Sequence, residues 1–357
     1  MQAISILKQI TGICVLFFLS TSVLLAGNMD YSQKKEMTKS FSANKNTTLS
    51  VNNRFGNIVL EHWEKNEVKI RVVIESKADS HKTAESNLDK VSVRMNKKGN
   101  TIEAITQMSN LDQRDNERVR VDYTLLIPSD IKLNLEQQFG NITLPESHQG
   151  VSSFIIKFGN IVGGNFTAPV YIESQFSNVT LGNLTSVEME LKHSEKVRIA
   201  NAEDVNVECQ FSNLKAGNLQ NIKLNERHSN IEIKSCNHIT MDVQHSEITI
   251  HRLKTSAEIA SLSHSTLEIK DLSGDFAFLR ATASFGNIKL KLPTSASFQL
   301  DANTSFGDIK IDPAFKLENQ TYIEKNNKKD ISAYVNGGKN GHVEFNGSFS
   351  TITIKEL

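Results

Sequence analysis

The sequence predicts an all-β protein whose main part is a single-stranded β-solenoid, one chain wound into stacked coils. The first observation is a recurring signature of an aromatic ring, a small residue, Asn and an aliphatic residue, as in Phe139-Gly140-Asn141-Ile142. Its copies between residues 139 and 306 follow at steps of 19, 18, 17, 18, 17, 17, 19, 21 and 21 residues. The second observation is that aliphatic and polar residues alternate on both sides of each copy. A fixed period combined with this alternation is typical of a stacked β repeat.

Each repeat is predicted to form a strand, a tight corner and a second strand. Val187, Met189 and Leu191 occupy alternate positions before one corner, and Ile231 and Ile233 do so after another. Alternate side chains of a strand point to the same face, so these residues should fill the inside of the coils. Coils of 17–21 residues have room for two short strands each, which favours a mostly two-sided solenoid. Ten coils at one strand spacing each would form a rod about 50 Å long.

The first 26 residues predict a secretory signal peptide. Lys8 precedes a mostly apolar stretch over residues 10–25, and Ala26-Gly27 offers small residues for cleavage. The alternative is an uncleaved N-terminal anchor, for which the apolar stretch is short. Residues 27–48 are polar and predict an exposed lead-in. We therefore expect an exported protein, periplasmic, on the outer surface or secreted, with no membrane span after cleavage.

Residues 49–130 predict an N-terminal β section, antiparallel in character, that caps the solenoid. Alternation over residues 68–74 indicates a strand, residues 80–90 suit one short helix, and residues 97–100 suit a hairpin turn. Trp63 is expected to pack where two strands connect, and stacking on a sugar is the alternative.

Residues 131–357 predict the solenoid itself, with a polar loop insertion at about 312–342. Alternation returns after Val343, so the copy of the signature at Phe349 is expected to belong to the stack. Cys209 and Cys236 lie at different positions relative to their corners, which favours two buried, unpaired thiols over a disulfide.

The signature residues are predicted to form a structural ladder along one corner of the solenoid. Gly or Ser would permit a sharp turn or a positive φ, the rings would stack, and the Asn amides would bond within a turn or between coils. The alternatives are a metal site made by the four histidines and an outward row of Asn amides that binds a ligand. The predicted members are Phe55, Asn57, Phe139, Asn141, Phe158, Asn160, Phe176, Asn178, His193, Phe211, Asn213, His228, Asn230, His245, His264, Phe285, Asn287, Phe306, Asp308 and Phe349.

Composition and motifs narrow the function classes. Forty Lys and Arg balance forty Asp and Glu, so no global field draws in nucleic acid, and we expect no nucleic-acid partner. The sequence has no Gly-x-Ser-x-Gly, His-Glu-x-x-His, phosphate-binding Gly loop or calcium-binding Gly-Asp repeat. We therefore assign no catalytic, cofactor-binding or metal-binding residue and expect no cofactor.

The chain resembles a bacterial family of exported β-strand-repeat "putative adhesin" proteins, common in Bacteroidetes and related to adhesin-head domains with a Gly-Ile-Asn motif. The resemblance rests on the signal peptide, on residues 63–68 (Trp-Glu-Lys-Asn-Glu-Val), on Leu126-Ile127-Pro128 and on the recurrent Phe-Gly-Asn-Ile-x-Leu, and it covers residues 45–357. It implies an exported β-solenoid that acts in adhesion or envelope-associated binding, and it brings no catalytic residues. The chain departs from the pattern at Glu195-Lys196 and in its His-rich middle.

Three hypotheses for the function follow. The first is a non-enzymatic, adhesin-like solenoid that presents a repetitive surface to an envelope polymer, a glycan or a protein. The second is a carbohydrate-active β-helical enzyme of the lyase or hydrolase type, which requires carboxylates, or a carboxylate with Lys or Arg, that converge in a groove. The third is a purely structural envelope protein.

Overall fold

The computed structural model describes residues 31–109 and 118–357, and in this part the chain is almost entirely β, in one continuous open sheet. The predicted all-β solenoid fold is therefore confirmed. The predicted signal peptide lies outside the described residues. Within the described ranges, no helix has the length and apolar character needed to cross a membrane.

The elements fall into three groups. The N-terminal elements are β1 (Tyr31–Ser42), β2 (Thr48–Arg54), β3 (Ile58–His62), β4 (Glu67–Ala78), α1 (His81–Asp89), β5 (Val91–Lys98), β6 (Thr101–Met108) and β7 (Arg118–Ile127). The coil elements are β8 (Lys132–Thr143), β9 (Ser147–His148), β10 (Ser152–Val162), β11 (Asn165–Phe166), β12 (Val170–Gln175), β13 (Asn178–Lys192), β14 (Val197–Gln210), β15 (Asn213–Arg227), β16 (Asn230–Gln244), β17 (Glu247–Ser263), β18 (Thr266–Ile269), β19 (Phe278–Ser284), β20 (Asn287–Leu292), β21 (Phe298–Ser305) and β22 (Asp308–Ile311). The C-terminal elements are β23 (Leu317–Lys325), β24 (Lys328–Val335), β25 (Gly341–Ser348) and β26 (Thr351–Glu356).

Successive coils pair in parallel and in register. Val187 lies beside Val205, Val205 beside Ile222, and Ile222 beside Ile239 on the neighbouring coils. Each aliphatic column therefore runs unbroken along the axis, and all four of these side chains are buried. One coil cannot bury this face alone, so the stability of the solenoid comes from neighbouring coils.

The cross-section of a coil has two long sides and one very short side. Along β13, the inward residues of the first long side are Val179 and Leu181, and Leu184 alone forms the short side. Val187 and the two alternate residues after it form the second long side. Two outward residues at each bend turn the chain between these sides, which is how a coil of about 18 residues closes.

The N-terminal cap contains the predicted helix and hairpin. Helix α1 begins after Ser80, whose hydroxyl accepts a hydrogen bond from the backbone N–H of Thr83 at 3.2 Å. Strands β5 and β6 form an antiparallel pair around a turn at Gly99, whose φ is +59°. The predicted lead-in is mostly exposed, but β1 pairs antiparallel with β4 along its whole length, so residues 31–42 extend the sheet.

Strands β2 and β3 belong to the stack and not to the cap, which differs from the predicted boundary at residue 131. Leu49 pairs in parallel with Leu133, and Ile58 pairs with Ile142. The antiparallel pairing predicted for this section is limited to β1–β4–β7 and β5–β6, while β2–β6 and β3–β7 are parallel. In the sequence, residues 63–130 therefore lie between the first coil of the stack, formed by β2 and β3, and the second coil, which begins with β8.

The C-terminal coil lies between two coils that precede it in the sequence. Strand β25 pairs in parallel with both β19 and β21, and β26 pairs in parallel with both β20 and β22. The segment 312–342 is not the polar loop that the sequence predicts, because β23 and β24 form an antiparallel hairpin that pairs with β21. This hairpin covers the strand edge at the last coil, where an open edge would otherwise template further pairing.

Three single residues lie as predicted. The Trp63 indole N–H donates to the Glu67 carbonyl at 2.7 Å, so the side chain packs at the connection between β3 and β4. Cys209 and Cys236 are both buried and free. Burial raises the pKa of the Cys209 thiol to about 11 and that of Cys236 to about 12, which keeps both thiols protonated and unreactive.

Candidate functional site

The ring of each signature residue leaves the corner from a left-handed backbone. All twelve ring residues have φ between 50° and 61°. The sequence predicts the positive φ at the small residue that follows each ring. Apart from Gly56, however, these small residues have negative φ. The left-handed conformation costs about 1–2 kcal/mol in a residue other than Gly, and ring stacking worth about 0.5–1.5 kcal/mol per pair offsets that cost.

The twelve rings form one continuous stack, which we call the ring ladder. Neighbouring centroids are 4.7–5.2 Å apart, and the rings are tilted by at most 25°. The order along the axis follows the sequence except at the end, where Phe349 lies between Phe285 and Phe306. The structure thus brings together every predicted ring.

The ring ladder presents edges, not faces, to solvent. The exposed fraction of its Phe residues reaches 58% at Phe306, yet each face inside the stack is covered by the next ring. At the other end, the Arg54 guanidinium lies 4.9 Å from the Phe55 centroid. Stacking on a sugar needs a free face, so the ladder is an apolar stripe and not a row of sugar platforms.

The stacking geometry does not favour a metal site at the histidines. His228, His245 and His264 are consecutive in the stack, with centroids 4.9 and 4.8 Å apart. Two nitrogens that bind one tetrahedral zinc ion lie only about 3.3 Å apart, so two neighbouring rings would have to leave the stack to share it. Within residues 31–109 and 118–357, no group of three His, Cys, Asp or Glu side chains is placed to hold a metal ion.

The Asn side chains form a ladder only in the early coils. Asn160 donates to Asn141 at 2.7 Å, and Asn178 donates to Asn160 at 2.8 Å. In the middle coils, the buried serine after each ring bridges the coils. The Ser212 hydroxyl, for example, accepts from the Ser194 N–H at 2.9 Å and donates to the Gln210 carbonyl at 2.9 Å. These bonds satisfy polar groups of the corner, whereas the side chains of Asn213, Asn230 and Asn287 form no Asn–Asn bond within the described residues.

A groove of about 970 Å³ lies on the first long side of the coils, and its lining begins four residues after the rings, as at Lys215 after Phe211. Its walls are formed by outward side chains of β13 to β17, which belong to successive coils. The floor is low because small residues occupy the bend, and Gly217 is required there: a Cβ atom would lie 1.7 Å from the Ala200 carbonyl oxygen. The lining residues used below are Arg198, Ala200, Lys215, Glu232, Lys234, His251, Arg252 and Lys254.

Cations dominate the groove, and its single carboxylate is already paired. Glu232 contacts Lys215 at 2.6 Å and His251 at 3.1 Å. These two partners hold the pKa of Glu232 below its usual range, so the carboxylate stays ionised. Within the described ranges, no ion pair reaches Arg198, Lys234 or Lys254. The groove is therefore positive.

The far wall of the groove is a second Asn ladder that the sequence analysis did not identify. The Asn201 amide donates to Asn183 at 2.7 Å, the Asn218 amide donates to Asn201 at 2.8 Å, and the Ser235 hydroxyl donates to Asn218 at 2.9 Å. Because each amide oxygen accepts from the next coil, these bonds fix the bend that borders the groove. In the sequence, the steps of 18 and 17 residues between these Asn residues are the pattern that indicates this ladder.

The positive line continues beyond the groove. At the outward position after the second inward residue, successive coils carry Lys234, His251, Lys270, Lys291 and Lys355, which we call the basic column. Backbone hydrogen bonds define this register. The Lys270 N–H donates to the Ile250 carbonyl at 2.9 Å, and the Leu272 N–H donates to the Lys291 carbonyl at 2.8 Å. A basic side chain, lysine at four positions and histidine at one, therefore recurs at each coil, about 4.8 Å apart.

One outward column of the second long side is acidic. Glu173, Glu190 and Glu208 occupy the same outward position on three successive coils, and Asp242 follows two coils later. Lys192 and Lys223 also lie on this side, so its charge is mixed, in contrast to the positive groove. An anionic partner would be attracted more strongly to the groove side than to this side.

One carboxyl is buried inside the solenoid. Glu226 is 1% exposed and occupies an inward position beside Cys209 of the preceding coil. One of its oxygens accepts from the Ser246 hydroxyl at 2.6 Å, and the other has no hydrogen-bond partner within the described residues. Burial raises the pKa of Glu226 to about 7, in spite of the hydroxyl. The side chain is enclosed by the neighbouring coils, so it belongs to the core.

Comparisons with known proteins agree with this fold. A family model described as Toastrack DUF4097 matches residues 46–339. The comparison with curated proteins gave no significant match.

The chain is also similar to several solved structures, including the following three. A putative adhesin from Parabacteroides distasonis is 10% identical, with 90% of this chain and 97% of that chain covered and a TM-score of 0.37. A putative lipid binding protein from the same species is 10% identical, with 90% of this chain and 96% of that chain covered and a TM-score of 0.33. A putative adhesin from Bacteroides fragilis is 11% identical, covering 91% and 98%, with a TM-score of 0.29.

Proposed function

The chain belongs to the Toastrack DUF4097 family, and on that premise we propose that it is an exported, adhesin-like, non-enzymatic solenoid. It binds an envelope polymer, a glycan or a protein partner through its groove side. The observation that carries this proposal is the positive groove of about 970 Å³ formed by successive coils. A rod displays the same outward positions on every coil, so an extended partner meets many weak contacts that add up.

The absence of suitable acid–base chemistry supports a binding role. General acid–base catalysis needs a group whose pKa lies near the working pH and which can reach the substrate. Glu232, which lines the groove, is held ionised by Lys215 and His251. Glu226 has a pKa near 7 but is buried in the core. No described carboxyl combines the two properties.

A carbohydrate-active enzyme is the second candidate, because one cluster favours it. Glu232, His251 and Lys215 converge in the groove, which is the type of arrangement that the enzyme hypothesis requires. In that case His251 would act as the proton acceptor and Lys215 would neutralise a substrate carboxylate. Release of shortened or unsaturated sugars from acidic polysaccharides by the wild-type chain, and not by His251→Gln, would establish the enzyme.

The test of the binding role is retention of the full chain on cell envelopes of its own source organism. We expect wild-type retention and a loss on Ala200→Trp, because Ala200 lines the groove and an indole would fill it. Thr240→Trp, at an exposed position on the second long side, is the matched control and should bind normally. Equal retention of both variants, or no retention of the wild type, would contradict the proposal. The second result would favour a purely structural protein.

A further inference from the structure

We infer that the ligand of the groove is a linear polysaccharide that carries carboxylates, a polyuronate, lying along the solenoid axis over the basic column. This inference rests on the proposed binding function and names the class of its ligand. It rests on three observations: the register of the basic side chains, the lack of ion pairs at the four lysines of the column within the described residues, and the absence of features that other polyanions need.

The cations form a line with the period of an extended polymer. The basic column places a basic side chain at each of five successive coils, from Lys234 to Lys355, with a spacing of about 4.8 Å, and four of the five are lysines. An extended polyuronate carries one carboxylate per sugar, a comparable repeat. Each carboxylate can therefore approach one cation without bending of the chain. Arg198 and Lys254 extend the positive surface on either side of the column.

The lysines of the basic column form no ion pair within the described residues, whereas His251 contacts Glu232. The nearby acids already have partners: Glu268 contacts Lys289 at 2.7 Å, and Asp271 contacts Arg252 at 3.5 Å. Within the described ranges, no ion pair reaches Lys270, Lys291 or Lys355. Like charges on neighbouring strands are destabilising, and a bound polyanion removes that repulsion.

Other extended partners fit less well. Binders of single-stranded nucleic acid combine cations with aromatic side chains on which bases stack, but His251 is the sole aromatic side chain in the groove lining. A peptide that adds a strand needs unpaired backbone groups, and the groove strands β13 to β17 are each paired on both sides. Sugar hydroxyls can instead bond to the polar wall at Asn218.

The experiment measures binding of the full chain to polygalacturonate, with a neutral linear glucan, poly(dT) and polyglutamate as comparison polymers. Binding to polygalacturonate should exceed binding to each of the other three, and it should weaken as salt rises. The double variant Lys234→Gln, Lys291→Gln should bind polygalacturonate about tenfold more weakly, since each exposed ion pair is worth up to about 1 kcal/mol. The control Lys192→Gln, Lys223→Gln makes the same change in charge on the second long side and should bind as the wild type does.

Each outcome separates the ligand class from the binding function. Equal binding of polygalacturonate and poly(dT), or equal losses in the two double variants, would overturn the inference and indicate a nonspecific charge effect. Stronger binding of the neutral glucan or of polyglutamate would also overturn it. If Ala200→Trp abolishes envelope retention while polygalacturonate does not bind, the groove is the binding site and the polyuronate assignment is wrong. If neither the envelope nor polygalacturonate binds, the proposed function itself fails.

Discussion

The ring of Phe349 stacks on the ring of Phe285, with centroids 4.8 Å apart and planes 5° apart, although Phe306 lies between them in the sequence. The C-terminal coil is thus held on one side by β19 and β20 and on the other by β21 and β22. The last coil in space, formed by β21 and β22, depends on the C-terminal coil, because neither of these strands pairs directly with β19 or β20.

Deletion of residues 341–357 should therefore disrupt more than one coil. It removes Val343, Phe345, Ile352 and Ile354, all fully buried, from the middle of the stack. We expect residues 298–311 to lose their protection against hydrogen exchange and the melting temperature to fall. Deletion of residues 356–357 alone is the control and should leave both unchanged. Retained protection over residues 298–311 after the larger deletion would mean that the coils stack in sequence order.

A charge at an inward position should destabilise the solenoid. Val207 is fully buried, and Val207→Asp would place a carboxylate without a partner in the core, at a cost of more than about 4 kcal/mol. Asn206→Asp, at the exposed neighbouring position, should change the free energy of unfolding by no more than about 0.5 kcal/mol. Chemical denaturation measures both, and similar stabilities would show that inward and outward faces are assigned incorrectly. Ile231→Asp should behave as Val207→Asp does.

The left-handed backbone at the rings predicts an unusual order of substitutions. Phe211 has a φ of 50° and stacks between His193 and His228. Both Phe211→Ala and Phe211→Gly remove the stacking, but only Gly relieves the backbone strain. We expect Phe211→Gly to be more stable than Phe211→Ala by about 1 kcal/mol, as measured by denaturant unfolding. At an ordinary strand position Gly is the less stable of the two, so that order would argue against strain at the ring.

The buried carboxyl of Glu226 predicts a loss of stability as the pH rises. Its pKa is about 7 in the folded chain and about 4.3 when unfolded, so the neutral form is favoured on folding. The stability that this difference contributes is complete below pH 4 and is lost as the pH rises to about 7, a change of no more than about 4 kcal/mol. Glu226→Gln should be more stable than the wild type at pH 8 and should flatten this part of the stability profile.

As a control, Glu232 should show the opposite dependence of stability on pH. The pKa of Glu232 is lowered by Lys215 and His251, so its contribution to stability is lost as the pH falls. Because Glu232 is half-buried at most and solvent screens the pairs, Glu232→Gln should alter the profile only slightly and only on the acid side. A wild-type profile that matches Glu226→Gln between pH 5 and pH 8 would show that Glu226 is not desolvated in the core.

Most of the fold was predictable because each coil repeats the same local chemistry. The alternation that places Val187, Met189 and Leu191 inside is a local pattern, and so are the steps between the rings. The position of β25 was not predictable in this way, because the step of 43 residues from Phe306 to Phe349 fits two coils in sequence order equally well. Which strand edges meet depends on long-range pairing, and no local pattern records that.

The groove was partly predictable. Lys234, His251, Lys270 and Lys291 follow at steps of 17, 19 and 21 residues, so alignment of the outward positions reveals four members of the basic column. Lys355 has the same offset from Phe349 as the other members have from their rings, but its place beside Lys291 depends on the inserted coil, which no local pattern records. The positive φ of the rings was missed because a left-handed Phe is rare, and the expected residue at such a position is Gly.

A lysine-labelling footprint tests the central claim, that the groove side of the stacked coils is the surface that binds the partner. The full chain is acylated with and without envelope from its source organism, and each lysine is quantified. We predict protection of Lys234, Lys254, Lys270 and Lys291, with unchanged labelling of Lys192 and Lys223 on the second long side. Protection confined to Lys192 and Lys223, or equal labelling of all six in both samples, would contradict the claim.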